Sequence, residues 1–242
     1  MAEDEVVKHT KKIYNIWTNH EVSFWHKAKE FFVEVLIIVF AVTLSIWFHN
    51  WAEHTKQQED VKEFLLGLKS DLQHDIAEMK GDKESYLMQE AGFSYITRVK
   101  MHQQLRIDSL NKYANWLFNT TALNPNNGRF EGFKSAGKIG FIENRELQNY
   151  IMDLYQEDIV ALLASTAGYI EVKKQFFDYV RKNNKRVTDS TSNIATILVE
   201  DECQNICRSL NRPIQVLERY DACISKMQII ITEIDKEYYL KN

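Results

Sequence analysis

The chain has few of the residues that interrupt long helices. Its 242 residues include only 2 prolines and 8 glycines. Both residue types are unfavourable in a helix interior, glycine by about 1 kcal/mol and proline by about 3 kcal/mol relative to alanine. The hydrophobic content of 45% is ample for a packed core. The composition therefore predicts an all-α fold.

An excess of charge of one sign is also missing. The formal net charge is -4, and the charges are spread without a long single-sign block, whereas nucleic-acid binding calls for a strongly basic face. Residues 173–186, KKQFFDYVRKNNKR, do interleave bases with aromatics. Their place at the end of a long helix explains the cations, which complement the helix dipole. We expect no nucleic-acid partner.

Motifs that carry chemistry are absent as well. None of the 7 histidines has the HExxH spacing or a comparable metal-binding spacing. The sequence has no GxSxG elbow and no glycine loop of the kind that holds phosphates. The acids at 200–202 are consecutive on a predicted helix, so they point in different directions. We therefore expect no catalytic residues, no cofactor and no metal, in a protein that is not an enzyme.

The most hydrophobic stretch of the chain is residues 31–51, FFVEVLIIVFAVTLSIWFHNW. As a helix it would cover about 31 Å, which matches the hydrocarbon thickness of a bilayer. Aromatic side chains flank the apolar centre on both sides, as is typical of interfacial anchors. A cleavable signal is disfavoured, because about thirty residues precede the run and no small-x-small site follows it. The segment is predicted to be a transmembrane helix, with a buried helix of a soluble protein as the alternative.

Lysines indicate the orientation of this span. Five precede it and three lie in the twenty residues after it: Lys8, Lys11, Lys12, Lys27 and Lys29, then Lys56, Lys62 and Lys69. Because basic residues favour the cytoplasmic side, residues 1–30 are predicted to be a short cytoplasmic tail with an amphipathic lead-in. A capping-box pattern, Thr18 to Glu21, places the helix start near residue 19. Residues 52–242 then form an extracytoplasmic helical domain.

Glu34 is the one carboxylate in the span, and it has two interpretations. It shares a helix face with Ala41 and Ser45, a small-xxx-small pair of the kind that lets membrane helices approach closely. This face could be an association seam for a second copy or another envelope protein. Alternatively, Glu34 lies one turn inside the bilayer and extends its carboxylate into the headgroups. The sequence favours the second interpretation because the position is terminal.

Helical periodicity continues beyond the span. An apolar face steps by three and four residues from Val61 to Met79, and no turn signal separates Trp51 from Val61, so the membrane helix is expected to continue as one rod. The first clear break is expected at residues 119–128, NTTALNPNNG. Later helices are predicted from Glu143 or Asn144 towards Arg186, from Ile194 to about Leu210, and over 217–238. The last has a heptad seam, explained by core packing or by a coiled coil between protomers.

Two further features have open interpretations. The glycines of residues 130–156 are explained by a close helix–helix connection or by a small ligand pocket. Cys203 and Cys207 are one helical turn apart, and a hairpin at Asn211–Pro213 could bring Cys223 beside one of them. In an oxidising periplasm this would allow a Cys207–Cys223 disulfide. Buried free thiols are the alternative.

Two stretches resemble a family of uncharacterised single-pass bacterial membrane proteins. The first, FFVEVLIIVFAVTLSIWFHNWAEHTKQQ, has an acidic residue opening the span and an aromatic-x-asparagine-tryptophan stretch closing it. The second, FKSAGKIGFIENRELQNYIMDLYQ, has a serine-glycine turn and an asparagine before an acidic-leucine pair. The matching residues are Glu34, Asn50, Trp51, Ser135, Gly137, Asn144, Glu146, Leu147 and Tyr155. The resemblance implies a protein of the bacterial inner membrane with a periplasmic C-terminal domain, and it transfers no activity.

These features favour a membrane-anchored interaction or structural protein of the bacterial envelope. The expected partners are the lipid bilayer and a second copy of the chain or an envelope protein. A ligand-sensing helical ectodomain is the alternative, and it would need a separate signalling protein because about thirty residues are too few for an output domain.

Overall fold

A computed structural model describes residues 7, 8, 11, 14, 24–99, 105–188 and 191–238. No strand occurs in these ranges, and one isolated antiparallel bridge joins Arg186 to Ser192. The expected all-α fold is confirmed. The α-helices are α1 (Phe24–Arg98), α2 (Ile107–Asn111), α3 (Ala114–Leu117), α4 (Gly128–Ser135), α5 (Arg145–Asp153), α6 (Ile159–Asn183), α7 (Ile194–Ile197), α8 (Asp201–Leu210) and α9 (Ile214–Tyr238).

The chain divides into two compact units, Met1–Asp60 and Val61–Asn242. In the first, the described part of α1 exposes nearly all of its large apolar side chains; Phe32, Leu36 and Phe40 are 70%, 68% and 64% exposed. By length and composition, α1 is the one described helix that could cross a membrane. The predicted capping box at Thr18–Glu21 and most of the amphipathic lead-in lie outside the described residues.

In the second unit, α1 presents a regular seam to the core. The seam steps alternately by four and three residues, through 61, 65, 68, 72, 75, 79, 82, 86, 89, 93 and 96. Most of its members are apolar and fully buried, as predicted for Val61 to Met79. Three polar residues, Asp75, Asp82 and Gln89, occupy it at seven-residue intervals. They interrupt its apolar spacing, so apolar spacing alone does not identify them as members of the seam.

The expected long helix after residue 143 is present but is interrupted once. Asn144 caps α5, because its side-chain oxygen accepts a hydrogen bond from the backbone N–H of Leu147 at 3.1 Å. A π-helical turn, Leu154–Asp158, follows before α6 begins. Such a turn adds a residue to the helical repeat. The extra residue shifts the buried face of α6 relative to that of α5. Both helices therefore bury side chains, although they follow each other without a break.

The last helix packs within its own chain. Helix α9 contacts α5, the π-helical turn and α6. Its buried face is formed by the side chains of Val216, Tyr220, Cys223, Ile224, Met227, Ile230 and Ile234. Three residues of the predicted seam, Leu217, Ile231 and Tyr238, are only half buried at the edge of this face. Core packing therefore accounts for the heptad pattern.

Two breaks differ from the sequence prediction. Helix α1 ends at Arg98, and the two short helices α2 and α3 lie where helical patterning was expected to continue up to residue 118. The helix expected from Ile194 to Leu210 is two helices, α7 and α8, separated by a turn at 198–200. Gln204 of α8 explains this turn in part, because its Nε2 donates to the carbonyl oxygens of Leu198 at 3.0 Å and Ile96 at 2.9 Å.

The seam predicts a specific stability effect at Asp75. Changing Asp75 to Ala should lower the free energy of unfolding by about 1–3 kcal/mol, because the buried carboxylate of Asp75 accepts hydrogen bonds from the N–H and the side-chain amide of Asn126 that alanine cannot replace. Glu84→Ala, an exposed position of the same helix, should change it by less than about 0.5 kcal/mol. Urea unfolding of the full chain in detergent measures both values. Equal effects of the two substitutions would contradict the role given to Asp75.

Candidate functional site

The polar seam residues of α1 each bind a different part of the fold. Asp75 accepts hydrogen bonds from the backbone N–H of Asn126 at 3.2 Å and from its side-chain amide at 2.5 Å. Asp82 accepts from the Tyr220 hydroxyl at 2.9 Å. Burial raises the pKa of both carboxyl groups. Residue 126 lies in an irregular segment and Tyr220 in α9, so these two carboxylates connect α1 to separate elements.

The irregular segment, residues 118–127, is held to α1 by side chains. Its backbone makes few internal hydrogen bonds, and buried backbone groups need partners. Glu78 accepts from the N–H of Asn124 at 3.0 Å, and the Tyr86 hydroxyl donates to the carbonyl oxygen of Thr121 at 2.6 Å. Since Asn126, Asn124 and Thr121 meet residues 75, 78 and 86 in that order, the segment runs antiparallel to α1.

Arg129, which follows the irregular segment, makes a further contact with α1. Its Nε lies 2.9 Å from Oδ2 of Asp71. To reach that carboxylate the guanidinium lies across Gly67, where an added Cβ would be 2.3 Å from its Cζ. A side chain at position 67 would displace the Arg129 guanidinium, which is the far end of a flexible and partly exposed side chain. The contact between Arg129 and Asp71, rather than the helix itself, therefore depends on this glycine.

Lys173 of α6 is the most unusual polar residue in the described core. It is fully buried and is held by neutral oxygens only. Its ammonium donates to Gln89 Oε1 at 2.5 Å, to the carbonyl oxygen of Trp116 at 2.7 Å and to that of Asn119. These three acceptors match the three hydrogens of a protonated amine. The three acceptors favour the protonated amine, whereas burial favours the neutral one and lowers the pKa of Lys173 to about 7.

The environment of Lys173 favours an architectural role. Its side chain joins three elements, α1 through Gln89, α3 through Trp116 and the irregular segment through Asn119. A lysine with a lowered pKa is a potential nucleophile or base, but that chemistry needs access for a substrate. Lys173 and Asp75 are both 0% exposed. Lys173 and Asp75 can therefore position structural elements, and they offer no surface to a reactant.

Three tyrosines fill the centre of the same region. The ring centroids of Tyr86 and Tyr169 are 5.2 Å apart, and those of Tyr86 and Tyr220 are 5.8 Å apart. Each hydroxyl is engaged, that of Tyr169 by donating to the carbonyl oxygen of Leu210 at 3.1 Å. Burial raises the pKa of all three phenols, and the Asp82 carboxylate adds to this for Tyr86 and Tyr220. They remain neutral donors at physiological pH.

The second stretch of the family resemblance has a structural role at its turn and caps. Gly137 ends α4 with a left-handed φ of 70°, a conformation that favours glycine. Asn144 is the N-cap of α5, and Leu147 is buried behind it. Gly137 is thus explained by its backbone conformation, whereas the expected close approach is not found, because a Cβ added at Gly132, Gly137 or Gly140 would meet nothing within 4 Å. Tyr155 stacks on Phe130, with ring centroids 4.3 Å apart.

The predicted association face is only partly buried. Glu34 is 4% exposed, whereas Ala41 and Ser45 are exposed. The flanking side chains Val33 and Leu36 are also exposed. Glu34 thus differs from its neighbours, and its carboxylate is shielded from solvent. The association seam itself stays a prediction.

All three cysteines are buried free thiols. The two nearest sulfur atoms are those of Cys203 and Cys207, 3.9 Å apart on one face of α8. The Cys207–Cys223 disulfide expected under oxidising conditions is not formed in this structure and stays a prediction. Burial raises the pKa of Cys223 to about 12, so its thiol is protonated and unreactive at neutral pH.

An open groove lies between α6 and the turn that joins α8 to α9. Its volume is about 450 Å³. Two arginines, Arg212 and Arg219, line it together with Ala164, Ser165, Gly168, Tyr169, Val172, Ser209, Pro213, Gln215 and Val216. Unlike Lys173, the groove is accessible from solvent. The sequence predicted a turn at Asn211–Pro213 but no site, because the lining residues come from two separate stretches, 164–172 and 209–219, that only the tertiary packing brings together.

Among the described residues, no group of three or more histidine, cysteine or acidic side chains could hold a metal ion. One protein family matches this chain over residues 34–187, which is more than half of its length. The chain belongs to DUF6090, a family of unknown function. No curated protein and no solved structure matches the chain significantly. The expected membership of an uncharacterised family is thereby confirmed in its general form.

The DUF6090 match begins at Glu34, so it includes residues 34–58 of the first stretch of the resemblance and all of the second. It also includes the α1 seam, the irregular segment and Lys173. Helices α7 to α9 lie beyond it. The match therefore covers the polar contacts that fix residues 118–127 against α1, together with one wall of the groove, while both arginines of the groove lie outside it.

Lys173 predicts a pH dependence of stability. The pKa of this group is lower in the folded state than its ordinary value of 10.5, so the unfolded chain binds more protons between about pH 7 and 10.5 and folding is favoured as pH rises. The difference in free energy of unfolding between the wild type and Lys173→Met should therefore increase in favour of the wild type from pH 7 to 9.5, by at most about 1.4 kcal/mol per pH unit.

The measurement is urea unfolding of both proteins across this pH range. Lys174→Met, an exposed neighbour paired with Glu171 at 2.9 Å, is the matched control and should show no such widening. A difference between wild type and Lys173→Met that is constant with pH would contradict the assignment.

Proposed function

We propose that this DUF6090 protein is a non-enzymatic, single-pass membrane-anchored interaction or structural protein of the bacterial envelope. One observation carries the proposal. Large apolar side chains are exposed around most of α1 between residues 32 and 51, including Val39, Ile46 and Trp51. Soluble proteins rarely expose contiguous apolar patches of this extent. A bilayer would cover all sides at once.

The details of α1 support this placement. Thr43 donates its hydroxyl hydrogen to the carbonyl oxygen of Val39 at 2.7 Å, so its polar group is satisfied within the helix. A helical span also satisfies its own backbone groups, as hydrocarbon requires. The lysine distribution favours a cytoplasmic N-terminus and a periplasmic C-terminal domain in the inner membrane. The second unit would then supply the helical surface for partners.

Insertion of α1 can be tested with charged substitutions. Val39→Arg combined with Leu44→Arg should convert an alkali-resistant membrane protein into one that is extracted or degraded, because each central arginine costs about 2.5–3.5 kcal/mol on insertion scales. Val187→Arg, an exposed apolar position of the second unit, is the control and should stay in the membrane pellet. Full extraction of the unmodified chain by alkaline carbonate would overturn the anchor.

Association through the Glu34 face is a separate prediction. If Glu34, Ala41 and Ser45 form a seam, Glu34→Leu with Ala41→Ile should reduce crosslinked oligomers or partner adducts in intact membranes, because the added bulk prevents close approach. Thr43→Ile adds bulk on a different face and should leave them unchanged. If the unmodified chain, the double variant and Thr43→Ile crosslink identically, the seam is wrong and the headgroup interpretation of Glu34 stands.

A ligand-sensing role, exercised with a separate signalling protein, is the second candidate. The groove between α6 and the α8–α9 turn favours it, because that groove is open and lined by unneutralised arginines. Anchoring and sensing are compatible, since they use different residues.

A further inference from the structure

The groove carries an unbalanced positive charge. No acidic residue is among the side chains that line it. Arg219 is half buried, and its Nη1 donates to the carbonyl oxygen of Ala161, which is a neutral partner. Arg212 is exposed. Neither guanidinium forms an ion pair with a carboxylate in the described part of the chain, whereas Arg129 and Arg181 both do.

The other polar side chains of the groove do not neutralise this charge. The hydroxyls of Ser165 and Ser209 donate to carbonyl oxygens of their own helices, at 3.1 and 3.3 Å. The two guanidiniums therefore supply the charged donors that remain available to a ligand. Guanidinium groups present paired N–H donors that fit the oxygens of carboxylates and phosphates.

Small residues keep the groove open on the α6 side. Ala164, Ser165 and Gly168 form this wall, and a Cβ added at Gly168 would meet nothing within 4 Å. An exposed glycine inside a helix costs about 1 kcal/mol relative to alanine, and no close packing contact requires it at this position. Its effect is to leave space. Val172 and Val216 add apolar surface to the lining.

We propose that this groove binds a small organic anion. Its carboxylate or phosphate group pairs with Arg212 and Arg219, and its apolar part lies against Val172, Val216 and the small-residue wall. A volume of about 450 Å³ is within the usual range for small-molecule sites. The proposal goes beyond membrane anchoring and names the ligand class of the sensing role, and it holds or fails independently of the anchor.

The charge is tested with matched probes. Phenyl phosphate and benzoate are titrated calorimetrically into the full chain in zwitterionic nanodiscs, with benzyl alcohol as the neutral analogue. Saturable binding of an anion, and none of the alcohol, is expected. Arg212→Gln with Arg219→Gln should weaken binding more than tenfold. Arg145→Gln with Arg181→Gln removes the same charge from exposed positions outside the groove, and should leave binding within twofold.

The shape is tested without changing charge. Gly168→Leu should fill the groove and weaken binding more than tenfold. Gly81→Leu, also at an exposed helical glycine with nothing within 4 Å of its added Cβ, is the control and should bind as the wild type does. Circular dichroism of each variant verifies that it is folded. A folded Gly168→Leu protein that binds normally would overturn the placement of the ligand in this groove.

The source of the anion is distinguished by one more probe. Dihexanoyl phosphatidylglycerol, added as a monomer, presents a lipid phosphate, whereas phenyl phosphate and benzoate represent soluble anions. Arginine-dependent binding of the lipid alone assigns the groove to a headgroup, and arginine-dependent binding of the soluble probes assigns it to a free metabolite-sized anion. If no probe binds saturably at 10 mM, or if both arginine double variants lose binding equally, the proposal is wrong.

Discussion

Three polar side chains at seven-residue intervals on α1 determine how the second unit is assembled. Asp75, Asp82 and Gln89 lie in an otherwise apolar seam, and each meets a partner on a different element. A buried polar group without a partner costs about 1–3 kcal/mol. A displacement of α1 by one helical turn would therefore lose three sets of hydrogen bonds together, although it would preserve much of the apolar contact. We infer that these pairs specify the register of the core.

The same contacts explain how a helical domain accommodates an irregular segment. Residues 118–127 have little secondary structure to satisfy their backbone, so α1 and Lys173 supply donors and acceptors from side chains. Lys173 is suited to this because an ammonium donates in three directions, and its three acceptors belong to three elements. The cost is the burial of a cation without a carboxylate, which is reflected in its lowered pKa.

Predictability from the sequence differed between the fold and the candidate site. Composition and helical periodicity were sufficient to identify the all-α fold, the helix start near Asn144 and the apolar seam up to Met79, because these depend on residue content or on residues close in sequence. Asp75, Asp82 and Gln89 were not identified as members of the seam, because they interrupt its apolar pattern. Their seven-residue spacing was the available signal. The groove had no such signal, since Gly168, Arg212 and Arg219 meet only after α6 packs beside the start of α9.

The sequence by itself determined that the chain is helical, where its longest helices run and which segment is apolar enough to span a bilayer, because helix propensity and hydrophobic length are local properties. It also indicated most of the buried faces of α1 and α9. Tertiary structure alone decided that α9 uses its seam within the chain, that Lys173 has neutral partners only, and that two arginines line a groove without an acidic neighbour. These outcomes depend on the partner that each side chain meets, and that is settled by packing between distant parts of the chain.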